Sequence, residues 1–251
     1  MRALTSEDLL AVWDLGHDRH AVDRALVLLA RAMPEVAWGD LVRLSPGERD
    51  GLLLTVRQTT FGPTMTMVAR CPDCGEPQEF TATCDELTLA PPPSATALHR
   101  PEPRFGRIER DGYTVDYRAP DSRDLAEVAA APDVDTAARR LMERCVRSAW
   151  AGGAAVAVNA LPPEVAAAVA EALDTDDPQG NVAFGFACPG CGREWAALLD
   201  LAHLLWRDVA TCAQGVLEQV HALATAYGWR EPDILAMSPA RRHFYLTRIG
   251  K

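Results

Sequence analysis

Two short stretches of this chain carry one pattern. Cys71-Pro72-Asp73-Cys74-Gly75 and Cys188-Pro189-Gly190-Cys191-Gly192 each set two cysteines three positions apart and follow the second with glycine, with 113 residues (75 to 187) between the two cysteine pairs. Each follows a strand-like run and meets an aromatic within six residues, Phe80 or Trp195. A C-x-x-C turn brings two thiolates within about 4 Å, as one tetrahedral ion with Zn–S bonds of about 2.3 Å requires. The trailing glycine permits the positive φ at which backbone N–H groups turn toward sulfur. Two such turns complete a four-thiolate site of Cys71, Cys74, Cys188 and Cys191, so the fold must bring two distant hairpins together. The pattern resembles a zinc ribbon.

Other uses of these cysteines fit less well. Two disulfides would consume all four, but Met1-Arg2-Ala3-Leu4-Thr5-Ser6-Glu7-Asp8 has no apolar secretory stretch, and a bridge across C-x-x-C is strained. A redox-active pair would open a helix, whereas both pairs run on into strand-like sequence. A catalytic zinc keeps an open position and usually takes histidine or water, so four thiolates predict a closed, structural Zn2+ site. Cys84, Cys145 and Cys212 read as small buried apolar residues.

Around the knuckles the chain is largely helical. Leu9, Leu10, Val12 and Trp13 begin one amphipathic segment that Gly16 stops, and Val22, Leu26, Leu29, Ala30 and Met33 form the next, up to Pro34. Ser45-Pro46-Gly47-Glu48 supplies an N-cap, a proline at the first helical position and a glutamate at the third. Alternation predicts strands over 64–69, 78–83, 182–187 and 194–198, and Asp111-Gly112 between 107–110 and 113–118 is a hairpin signal. Ala90-Pro91-Pro92-Pro93-Ser94 reads as a stiff connector. Helices are expected from Asp121 or Ser122 to Ala130, over 134–149, 162–173 and 201–227, and in two short pieces, 231–236 and 239–249.

The predicted fold class is therefore α+β and mainly helical, with a zinc-ribbon-like pair of β-hairpins, a long insertion, and flanking N- and C-terminal helical segments. The boundaries read as residues 1–62 for the N-terminal helices, 63–89 with 181–200 for the four-cysteine module, 90–180 for the insertion, and 201–251 for the C-terminal helices.

Charge narrows the function. The formal net charge is −10: residues 1–60 carry 7 basic and 9 acidic groups, 61–200 carry 12 and 22, and 201–251 carry 6 and 4, or −2, −10 and +2. An acidic middle argues against gripping nucleic acid or an anionic membrane, and no stretch reaches the roughly 18 to 20 apolar residues of a bilayer span. A cytoplasmic protein without membrane insertion is expected. His17 and His20, beside Asp14, Asp18 and Asp23, read as a solvated helix start rather than a metal or acid–base cluster. H-E-x-x-H, G-x-S-x-G, Walker and G-x-G-x-x-G motifs are absent, and Gly152-Gly153 lacks a phosphate-binding continuation. No enzyme and no small-molecule substrate are expected. The terminal segment Ser238 to Leu246 reads either as a helix packed back on the domain, with Arg241 and Arg242 solvated, or as a docking surface.

With these residues in view, the chain resembles the baseplate proteins of contractile phage tails and phage-tail-like contractile injection systems. The likeness rests on His20-Ala21-Val22-Asp23-Arg24-Ala25-Leu26, Pro46-Gly47-Glu48-Arg49-Asp50, Leu52-Leu53-Leu54 and Thr60-Phe61-Gly62-Pro63 running into the first knuckle. It continues through Tyr117 to Leu125, with a proline and an Asp-Leu helix start, and through Val220 to Ala224, Ala226 to Glu231 and Arg241 to Leu246. The resemblance implies a non-enzymatic component of the injection machine, built into the baseplate or helping to assemble it as the hub-assembly chaperones of T-even-type phages do. Its implied partners are other baseplate or tail proteins, and its place is the cytoplasm or an injection particle. The zinc expectation rests on the cysteines alone. A zinc-ribbon regulator or nucleic-acid adaptor is the alternative, and a metal-dependent hydrolase would need an open zinc.

Overall fold

The computed structural model describes residues 1–93, 98 and 104–249; Ser94, the end of the proline connector, lies outside the described residues. The chain opens with helices α1 (Ser6–Gly16), α2 (Ala21–Ala32), α3 (Trp38–Leu41) and α4 (Pro46–Phe61). Reciprocal capping boxes start α1 and α4: Thr5 with Asp8, and Ser45 with Glu48. Hairpin β1 (Thr64–Arg70) and β2 (Pro77–Thr83) follows, then the single turn α5 (Cys84–Leu87).

Residues 105–176 build a separate layer. Strands β3 (Phe105–Arg110), β4 (Tyr113–Arg118), β5 (Val146–Ala151) and β6 (Ala154–Ala155) form an antiparallel sheet in that order. Helices α6 (Ser122–Val128), α7 (Val134–Cys145) and α8 (Pro163–Asp176) accompany it. Asp111 at φ 50° and Gly112 at φ 81° make the expected two-residue turn. The chain ends with hairpin β7 (Ala183–Ala187) and β8 (Glu194–Leu198), the long α9 (Leu201–Tyr227), α10 (Glu231–Leu235) and α11 (Pro239–Leu246). None of the described helices is long and apolar enough to cross a membrane.

Three buried apolar clusters hold these parts. The largest joins α1, α2, α4 and the first turns of α9 through Leu28, Leu29, Leu53, Leu54, Leu205 and Val209, and takes Met65 and Met67 from β1. A second joins the middle of α9 to Leu10 and Ile234. The third, Val115, Tyr117, Val146, Ala149, Val165 and Val169, lies between the four-stranded sheet and α8. The architecture is α+β with extensive helix and small sheets.

The polar joint between sheet layer and helices centres on Asp177. Its carboxylate accepts from Ser45 Oγ at 3.0 Å and Gly47 N–H at 2.7 Å, at the N-terminus of α4. Gln179 beside it donates to the Leu87 carbonyl at 3.0 Å and accepts from Leu89 N–H at 2.7 Å. Both residues are buried in a stretch whose composition reads only as an acidic turn.

Four expectations need correction. The helix expected over 134–149 stops at Cys145, because Val146 to Ala151 pairs with β4 and buries Val146 and Ala149 against Val115 and Tyr117. Tertiary pairing there outweighs a helical local pattern. Arg242 is buried, not solvated: it donates to Gln219 Oε1 at 3.0 Å, the Met237 carbonyl at 2.7 Å and Ser6 Oγ at 2.9 Å. Helix α11 ends at Leu246 rather than Ile249. Cys84 and Cys145 are buried, whereas Cys212 is only half-buried.

Candidate metal centre

The two knuckles are superimposable in their bonding. Each is a six-residue loop, Cys71–Glu76 or Cys188–Arg193, closing a hairpin whose register is unbroken. In the first, Cys71 N–H donates to the Glu76 carbonyl at 3.0 Å and Gly75 N–H to the Cys71 carbonyl at 2.9 Å. In the second, Cys188 N–H donates to Arg193 at 2.8 Å and Gly192 N–H to Cys188 at 2.9 Å. Gly75 and Gly192 both sit at φ 75°, where a Cβ would be strained.

These loops bring all four expected cysteines together. Their Sγ atoms lie within 4.8 Å of one another, with Cys74 to Cys188 at 3.4 Å and Cys71 to Cys191 at 3.6 Å. Zn–S bonds of about 2.3 Å place tetrahedral sulfurs roughly 3.8 Å apart, so the spacing is compatible with a metal site. Cys71 and Cys188 are buried, Cys74 and Cys191 exposed, and all are free thiols. This is the sole close grouping of metal-ligating side chains among the described residues.

The electrostatics point the same way. The Cys74 N–H draws the Cys71 thiol down to about 7. Cys74 is helped by the Glu76 N–H, yet the Cys188 and Cys191 sulfurs push it up to about 12. Cys191 is also raised: the Arg193 N–H lowers it, but burial together with the Cys188 and Cys71 sulfurs prevails. One thiol ionises readily and its neighbours resist, since adjacent thiolates repel. A cation at their centre would relieve that repulsion, and an all-sulfur donor set suits zinc or iron.

Behind the sulfurs the hairpins share an aromatic core. Phe80 of β2 packs edge-on against Phe184 and Phe186 of β7 at 4.9 and 5.0 Å, and Phe186 stacks on Trp195 of β8 at 4.8 Å. At the rim, Arg193 of one knuckle pairs with Asp73 of the other at 3.3 Å. Phe80 and Trp195 stand out in the sequence; Phe184 and Phe186 do so only as alternating strand residues, and no local signal matches Asp73 to Arg193.

The histidine cluster does not assemble. His17 caps the C-terminus of α1 and contacts exposed Asp18 at 2.8 Å, while His20 accepts from Val22 N–H as the N-cap of α2. Only His20 is at a helix start. Gly152 and Gly153 form the turn between β5 and β6, at φ 55° and 86°.

A family model described as T4 bacteriophage base plate protein matches residues 7–206. The matched span contains both hairpins and ends within α9. Comparison with curated proteins and with solved structures gives no match.

Proposed function

The chain belongs to the T4 bacteriophage base plate protein family, and from that premise we propose a non-enzymatic structural or assembly component of the baseplate of a phage-tail-like contractile injection system. The family match over residues 7–206 carries this reading. Its partners are other baseplate or tail proteins, and it is made in the cytoplasm before joining or assembling the particle.

In the same proposal a structural zinc ion is held by Cys71, Cys74, Cys188 and Cys191. The sulfur spacing and all-thiolate donor set support it. Bound there, zinc would supply charge neutralisation and tetrahedral cross-linking. The protein's own contribution is two rigid knuckles, an aromatic core behind them, and the Asp73–Arg193 pair across the rim. The zinc-ribbon-like module then ties residues 63–89 to 181–200 and anchors both ends of the 90–180 insertion.

Deleting the gene in a producing host tests the role. Absent or non-contractile particles are expected, and normal particles would overturn it. Elemental analysis of the purified chain tests the metal: about one zinc per chain is expected, and a metal-free chain of full stability would sink that part.

A further inference from the structure

We propose that the free edge of β1 receives, as a third strand, an extended segment of a partner protein that is apolar at alternate positions and acidic at both ends. The hairpin fixes which backbone groups are available. Cys71 N–H bonds Glu76 and Cys84 N–H bonds Pro63, so by antiparallel alternation Met65, Met67 and Ala69 turn their backbone groups toward β2. Thr66, Val68 and Arg70 turn theirs outward, where no strand among the described residues pairs with them. The Thr64 carbonyl, at the start of the edge, is already bonded by Arg57 at 2.8 Å, which marks where docking stops.

Strand β1 has no proline and no bulge, the usual guards against added strands. Two clefts flank it and share Met67 and Leu204: one of about 210 Å³ between β1 and β8, and a narrower one against Arg207. Val68 is 54% exposed and Leu198 on the opposite wall 70%. Trp195, also on that wall, has a buried indole N–H without an acceptor.

Charge selects the occupant. Arg70 and Arg207 stand exposed at the two ends of the edge, and among the described residues neither has a carboxylate partner, because Asp208 is taken by Arg57 at 3.0 Å. Of the other open edges, that of β8 carries Glu194 instead. An acid-flanked segment therefore prefers β1 to β8, as β-strand addition with terminal ion pairs. That the partner is a baseplate protein rests on the reading above; the edge and its charge do not.

The test uses the full chain and a synthetic peptide of alternating valine and threonine with two aspartates at each end. At about 1 mM peptide, the Thr66, Val68 and Arg70 amides should gain at least roughly tenfold protection from hydrogen exchange. Val68→Pro, which removes only an outward N–H, should abolish that protection while the protein's melting point holds. Should that variant unfold, Arg70→Glu with Arg207→Glu serves: it should transfer binding from the aspartate-flanked to a lysine-flanked peptide. Protection on Ala196 and Leu198 instead, equal binding by Val68→Pro, indifference to the charge swap, or a dimer of this chain paired through β1 would each overturn the proposal. Particle assembly is untouched by these readouts, so its failure and theirs are distinguishable.

Discussion

The Sγ atoms of Cys74 and Cys188 lie 3.4 Å apart, although 114 positions separate them in the chain. That contact closes the loop containing the whole β3–β6 layer. Holding it requires either a cation or protonated sulfur, since two thiolates at this distance repel.

The first prediction concerns that closure. Cys74→Ser should lose zinc and lower the melting temperature by roughly 10 °C or more. Adding Cys188→Ser should cost little further, because residues acting on one ion are non-additive. Elemental analysis with calorimetry measures both; two full, additive losses would contradict a shared ion.

Asp177 should matter as much as a core residue. Asp177→Ala removes the acceptor for Ser45 Oγ and Gly47 N–H and should cost about 2 kcal/mol in urea unfolding, near the upper end for a lost helix cap. Burial raises this carboxyl, against the Gly47 and Ser45 donors that lower it. The raised acid stabilises the fold most when protonated. Asp177→Asn should therefore gain on the natural protein as pH rises past the ordinary carboxylate range.

Two helical glycines should respond with opposite signs. A Cβ on Gly47 would meet Asp177 Oδ1 at 2.2 Å and Gly180 N at 2.9 Å, so Gly47→Ala should destabilise by about 1–3 kcal/mol despite its better helix propensity. At Gly215 in α9 nothing lies within 4 Å, and alanine there should stabilise by roughly 0.5–1 kcal/mol. Equal effects in thermal melts would refute the packing argument.

Acid should loosen the sheet layer first. Burial works to raise the Asp124 carboxyl, but Arg118 at 2.6 Å, the Asp121 N–H and Arg144 at 2.7 Å bring it down to about 2. Its folded value lies below the unfolded one, so its contribution of about 2 kcal/mol is present above roughly pH 4 and lost as pH falls toward 2. Asp124→Asn should be less stable at pH 7, with the gap closing on acidification; a constant gap would show that charge is not the cause.

Much was legible because local chemistry dictated it. The capping box at Ser45, the Asp111-Gly112 turn and both knuckles follow from groups within a few residues, so they survive any packing. The Val146 to Ala151 strand was not: its partners on β4 lie some thirty residues upstream, and the Arg-rich helix α7 that runs straight into it reads locally as continuing.

The sequence by itself determined that two C-x-x-C turns exist, that each ends on a glycine at positive φ, and that an acidic middle separates them. Tertiary structure alone decided that Asp73 faces Arg193, that Phe80 wedges between Phe184 and Phe186, that Asp177 caps a helix begun over a hundred residues earlier, and that Arg242 is buried. The reason is physical: turns and caps are set by bonds spanning three or four residues, whereas these pairings exist only once the chain's distant parts have lost their freedom and been packed against one another.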